Sequence, residues 1–332
     1  MNYRSVTRLV GILAFVGVVC QGLAAQTSHV VVVNSGDSTA SVYSAVRVFP
    51  DGDPILKLLK ILPVGKTPNE VCISPAGNRA YVSNRGDVSV TVIDLDNLSV
   101  ASTISVPEMK NPDGCIVSAD GTKLYVAAAG GDSVFVFSTA DGRKLNELKV
   151  GHEPRRLLFS PDGSRLYVSN GEERFVSVVD LKTGTTTGTI KAGRDNRSMT
   201  ITPDGKYLAI GNVSDDTVQF VKLGESEPEF IVGVPKSPQR LVAVPSKQFL
   251  FVIGRFDNVL SILDVRPNKE YGRLQGTIPI GRGAWGMALS AAGDCVYVAN
   301  AGDNTISIID LRLMRIGFTV PTGKTPMGLA VH

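Results

Sequence analysis

The chain repeats itself, and no other feature constrains its fold as much. Related turns of Pro-Asp-Gly type begin at Pro75, Ala119, Pro161, Pro203, Pro245 and Ala291, 42 to 46 residues apart. A fixed period of this size marks a ring or array of one small supersecondary unit. Each turn leads into an alternating strand (AYVSN, LYVSN, VYVAN) and then a Gly-Asp loop, as at Gly86-Asp87 and Gly302-Asp303. A second strand follows (SVTVIDL, FVSVVDL, TISIIDL), then a turn, a third strand closing near Val-Gly, and a short apolar fourth strand (RLLFS, GMALS). Four short strands per unit, with period-two alternation and Gly/Pro punctuation, describe the blades of a propeller. Helical periodicity is absent beyond the first 25 residues. The expected fold is all-β, a seven-bladed β-propeller of four-stranded antiparallel blades.

The count also predicts how the ring closes. One further period beyond Ala291 falls at position 333, just past His332, and one period before Pro75 falls near His29. The strand His29–Asn34 therefore lacks a preceding partner, and Met327–Val331 supplies it. Pairing the C-terminal strand with the N-terminal blade removes the open edge at the seam. It also makes His29 and His332 near neighbours.

Residues 1–25 read as a secretory signal: Arg4 and Arg8, an apolar run from Leu9 to Cys20, then Gly22-Leu23-Ala24-Ala25 before a cut. The run is short for a membrane span, with an uncleaved anchor as the alternative. A lipoprotein reading of Cys20 fails because Gly17-Val18-Val19 puts no small residue just before it. The expectation is a single propeller domain over 26–332, periplasmic or extracellular, monomeric, with no membrane span after cleavage. Loss of Arg4 and Arg8 leaves 32 basic against 31 acidic residues, so no global field for nucleic acid remains. Cys72, Cys115 and Cys295 survive, an odd number, all in apolar strand patterns. Buried free thiols are the default. The absence of CxxC argues against covalent haem or a thiolate metal cage, and no cofactor or metal is expected.

Tyr81-Val82-Ser83-Asn84, Tyr167-Val168-Ser169-Asn170 and Tyr297-Val298-Ala299-Asn300 resemble the YVTN repeat of bacterial and archaeal seven-bladed propellers. The Ile93-Asp94 and Ile309-Asp310 endings and the Val64-Gly65-Lys66-Thr67-Pro68 linker fit it too, and the resemblance covers essentially all of 29–332. WD40 proteins are less similar, since no Trp-Asp dipeptide occurs. The asparagine gives way to Ala128 in one blade and Gly254 in another, which makes it structural punctuation. The resemblance implies an exported propeller of mostly unassigned role. Some relatives resemble nucleic-acid or cell-surface binders, and some accompany quinone-dependent oxidation.

The strongest chemical pattern is a register. Nine residues before each turn start, including the virtual one at 333, stand Lys66, Lys110, His152, Arg194, Lys236, Arg282 and Lys324. Each lies in a loop that leads into an innermost strand, so the seven ring one mouth of the channel. A concave basic ring focuses potential on anions; the alternative is that loop tips favour Lys or Arg for solvation. The innermost strands begin with Asn69-Glu70, Asp113-Gly114, Arg155-Arg156, Arg197-Ser198, Gln239-Arg240, Trp285-Gly286 and Met327-Gly328. Glu70 and Asp113 belong to early blades, whereas Arg155, Arg156, Arg194, Arg197, Lys236 and Arg240 belong to three consecutive later ones. A basic crescent beside Trp285 is the expected result. Arginine forks suit carboxylate or phosphate, and an indole can cover a flat ring. Salt bridges to the loop aspartates Asp87, Asp132, Asp215, Asp257 and Asp303 are the competing fate of the arginines. For those aspartates, turn-making hydrogen bonds are favoured over calcium.

Catalytic signatures are weak. Gly65-Lys66-Thr67 and Gly323-Lys324-Thr325 lack the first glycine of a phosphate loop. Three histidines, His29, His152 and His332, are poor supply for catalytic zinc or haem. No GxSxG occurs. The reading is therefore an exported, non-catalytic binding module. Its proposed contacts are Arg155, Arg156, Arg194, Arg197, Arg240, Arg282 and Trp285, with Lys66, Lys110, His152, Lys236 and Lys324 around them. The partner would be an anionic small molecule, a nucleic acid or an acidic protein segment. A lactonase-like hydrolase at the same mouth, or a scaffold for other envelope proteins, are the alternatives.

Overall fold

A computed structural model describes residues 28–47, 54–267 and 271–332. The expected signal over 1–25 lies outside them. The described chain forms seven four-stranded antiparallel sheets around one axis. Their innermost strands are Pro326–Val331, Pro68–Ile73, Pro112–Val117, Pro154–Phe159, Asn196–Ile201, Pro238–Val244 and Ala284–Leu289, for the first to seventh blades. The first blade is built as expected: Pro326–Val331 pairs antiparallel with His29–Asn34. Reciprocal backbone bonds of 3.0 Å join His29 and His332. The His332 Nε2–H donates to the Pro75 carbonyl at 2.9 Å.

The core is distributed over seven seams between blades, one hydrophobic cluster to each. Period-two alternation explains why. Val30 and Val32 point toward the seventh blade, while Val31 and Val33 point toward the second. Each middle strand is apolar on both faces because it has a blade on either side. The outermost strands have water on one edge, and Leu58, Ile61 and Phe318 there remain exposed.

The recurring asparagine is a lock at the mouth end of five of the seven blades. Asn84 Nδ2 donates to Ser89 Oγ at 3.0 Å and Thr91 Oγ1 at 2.9 Å. Asn300 does the same with Thr305 and Ser307. The loop glycine lies against this amide: a Cβ on Gly65 would come within 2.7 Å of Asn84, and one on Gly281 within 2.5 Å of Asn300. The two exceptional blades swap both members. Met109 stands where the others have glycine and packs into a cluster with Ala128. Pro235 takes that place opposite Gly254. Bulk lost on one side is restored on the other, as close packing demands.

Each innermost strand bulges at its start. The pairing register breaks between Pro68 and Glu70, Pro112 and Cys115, Pro154 and Leu157, Pro238 and Leu241, and Ala284 and Met287. Bulges free side chains from the ladder and re-aim them. The residues freed here are those at the channel mouth. No helix among the described residues is long and apolar enough to cross a membrane.

Candidate functional site at the channel mouth

Three tiers of polar side chains descend from the mouth. The outer tier is the seven-residue register, and Lys66, Lys110, His152, Arg194, Lys236, Arg282 and Lys324 are all exposed. Carboxylates from the neighbouring loops meet several of them: Asp215 takes Arg194 Nε and Asp303 takes Arg282 Nε, each at 2.6 Å. Asp132 meets His152 Nδ1 at 2.7 Å and raises its pKa, first by that hydrogen bond and then by charge. Aspartates of these loops also clamp backbone. Asp215, Asp257 and Asp303 accept the N–H of Arg194, Lys236 and Arg282 at 2.7 Å. These turn-making bonds reach the entering loop rather than the aspartate's own loop. The outer ring is thus basic and acidic by turns.

The second tier comprises Asn69, Asp113, Arg155, Arg197, Gln239, Trp285 and Met327. Asp113 accepts from Asn69 Nδ2 at 2.7 Å and from Arg155 Nη1 at 2.6 Å. Arg155 is also paired to Glu153, and Arg197 Nε to Asp195 at 2.5 Å. Glu153 and Asp195 sit at φ 55° and 53°. That left-handed backbone turns each carboxylate onto the arginine two residues on.

Arg255 belongs to this tier, and the nine-residue register misses it. It follows Gly254 in the loop opposite. Its guanidinium lies 4.6 Å from the Trp285 ring and 5.6 Å from Phe256. Phe256 is 67% exposed. Burial, and then the nearby Arg197, lower the Arg255 pKa. Arg255 makes no ion pair among the described residues, and its buried Nε has no hydrogen-bond partner there. A cation-to-indole stack was the available clue, but it joins positions 30 residues apart that no spacing rule connects.

The third tier is an ion triad. Glu70, 1% exposed, places Oε2 against Arg156 Nη1 and 3.2 Å from Arg240 Nη1. Its Oε1 is buried without a partner among the described residues. Burial pushes the Glu70 pKa up; Arg156 opposes this and Asp113 adds to it. The asymmetry between acidic early blades and basic later ones is thus spent across the channel. Glu70 of the second blade holds the fourth and sixth, and Asp113 of the third holds the fourth. Ser198 is the small polar residue at this level, and the other three blades carry glycine. A Cβ on Gly114 would lie 2.1 Å from the Arg155 carbonyl oxygen, and one on Gly286 2.2 Å from that of Met327.

Below the triad the channel opens into a cavity of about 440 Å³. Glu70, Arg156, Arg240 and Ser198 line it, with Cys72 and Cys115 on one wall. Each innermost strand pairs on one side only, so its free backbone edge also faces this space. No group of three or more His, Cys, Asp or Glu among the described residues is placed to hold a metal ion.

A family model described as lactonase, 7-bladed beta-propeller, matches residues 62–194. That stretch holds the second to fourth blades, and so Glu70, Asp113, Arg155 and Arg156, but it is less than half of the chain. No curated protein matches. Among solved structures, hydrazine synthase of Kuenenia stuttgartiensis is 21% identical, with a TM-score of 0.70 over 79% of this chain and 89% of that one. A functionally unknown protein from Desulfotomaculum acetoxidans DSM 771 is 12% identical, with a TM-score of 0.77 over 91% and 98%. At these identities the likeness is one of fold.

Proposed function

We propose that this propeller is a binding module for an anionic ligand at the channel mouth, centred on Arg255, Arg197 and Trp285. The observation that carries the reading is Arg255. Every other arginine of the second and third tiers is paired with a carboxylate, whereas Arg255 is half-desolvated on an indole and faces Arg197. An incoming carboxylate or phosphate would relieve that repulsion and satisfy the guanidinium bidentately. The indole fixes the guanidinium in place, and exposed Phe256 offers an apolar contact beside it. The exposed lysines of the outer tier supply the surrounding field, while Arg194, Arg282 and His152 are offset by Asp215, Asp303 and Asp132.

The test is titration calorimetry with sugar phosphates, polycarboxylates and single-stranded oligonucleotides at low and moderate salt. Binding should weaken with salt and fall at least about tenfold in Arg255→Glu and in Arg197→Glu, a change of about 1.4 kcal/mol. Affinity untouched by both reversals would end this reading.

A second reading has its own support. Glu70 is a buried carboxylate of raised pKa with one free oxygen, it lines a cavity, and it lies in the stretch that matches the lactonase model. Such a group suits a general base, with Arg156 and Arg240 to stabilise a developing oxyanion. Hydrolysis of a sugar lactone that is abolished in a folded Glu70→Gln variant supports it. A lactone panel with no turnover above buffer removes it.

A further inference from the structure

Cys72 and Cys115 occupy the innermost strands of the second and third blades, which run side by side at the channel wall. Both pack onto the same inter-blade cluster, beside Tyr81 and Val117. The two side chains meet in the seam, where their thiols are hydrogen-bonded to one another. Tyr81 is the ladder partner of Cys72, and Cys115 Sγ donates to the Tyr81 carbonyl at 3.4 Å. Both cysteines are free thiols, partly exposed, and both line the cavity. Cys295, by contrast, is fully buried in a different seam.

We propose that Cys72 and Cys115 form a two-thiolate site for a soft monovalent cation of the copper(I) or silver(I) class. Thiolate ligands select soft metals over hard ones. A structural zinc site demands four ligands, and no third His, Cys, Asp or Glu joins this pair among the described residues. Two sulfurs satisfy a cation content with low coordination. Charge agrees as well. Arg156 and Arg240 against Glu70 leave one positive charge at the cavity end. Two thiolates on one monovalent cation carry one negative charge. On binding, two S–H protons pass to solvent and two metal–sulfur bonds form, with no change of oxidation state. The cavity gives the ion its route. This site is independent of anion binding at the mouth.

The test is an anaerobic titration of fully reduced protein with copper(I) against a chromogenic chelator. Wild type and Cys295→Ser should each bind one equivalent. Cys72→Ser and Cys115→Ser should each bind more weakly by over about tenfold, the scale of losing even an outer partner of a metal site. Should either variant fail to fold, X-ray absorption of the copper-loaded wild type decides, and two sulfur neighbours per copper are expected. Equal affinity in the folded Cys72→Ser or Cys115→Ser variant, or a copper shell of nitrogen and oxygen, overturns the proposal.

Discussion

Glu70 Oε2 and Arg240 Nη1 lie 3.2 Å apart, although 170 residues separate them in the chain. They span the channel from the second blade to the sixth, and Arg156 joins them from the fourth. The partners are unequal. Glu70 side-chain exposure is 2%, against 16% and 17% for Arg156 and Arg240, which face the cavity. Stripping Arg156 leaves the buried carboxylate with Arg240 as its one remaining cation, whereas neutralising Glu70 leaves two guanidiniums that line the cavity. Arg156→Ala should lose about 3 kcal/mol, the low end of the cost of breaking a buried ion pair, because Arg240 stays in place. Glu70→Gln should be nearly neutral at pH 7. Urea denaturation of both variants checks the inequality.

The pH dependence of the same variant has a definite sign. The folded pKa of Glu70 lies above its ordinary value of 4.5, because burial penalises the charged form. Its contribution is therefore fully present below that value and is lost as pH rises through the raised one. The Tm of wild type minus that of Glu70→Gln should fall as pH is raised from 4 upward. A difference that grows instead would show that the arginines, not burial, dominate the site.

Turn carboxylates behave in the opposite way. Hydrogen bonds from Ser160 and Ser164 lower the Asp162 pKa to about 2, and bonds from Ser118 and Thr122 do the same for Asp120. Their contribution is present above the ordinary aspartate value of 3.8 and is lost as pH falls toward 2. Asp162→Asn should lower Tm at pH 5 to 7, with the difference closing near pH 2. Calorimetric scans over that range decide it.

The amide–glycine lock can be tested by exchange. Gly281→Ala forces a methyl to within 2.5 Å of Asn300 and should cost about 1–3 kcal/mol by overpacking. Adding Asn300→Ala should recover part of the loss, because the chain itself pairs Met109 with Ala128. A double-mutant cycle with no coupling would sink the account.

Removing a mouth carboxylate should separate field from fold. Asp303 pairs with an arginine whose side chain is 76% exposed, so Asp303→Asn should change stability by less than about 1 kcal/mol. It should nevertheless tighten anion binding at the mouth and steepen its salt dependence. Unfolding and ligand titration on one preparation read both quantities.

The architecture was legible because a blade is local. Its four strands are consecutive, and period two tells which seam each side chain enters. The closing strand was legible because the period ran out at His332. The charges were legible only as a census. The register placed the outer ring at the mouth, but the aspartates that meet Arg194 and Arg282 lie 21 residues away in the loop alongside. The pairing of Glu70 with Arg156 and Arg240 depends on the channel being narrow enough to cross, which no spacing encodes. Arg255 was not legible because its role comes from Trp285, a residue of the next blade.

His29 and His332 exchange two backbone hydrogen bonds of 3.0 Å within one sheet. A ring joined in this way has no preferred starting point. Linking residue 332 to residue 28 by a short flexible segment and reopening the chain at the Gly163 turn, where a Cβ would meet nothing within 4 Å, should yield a circular permutant. It would keep the same seven seams and the same ion triad, and the stitching of the ring would simply move to another blade.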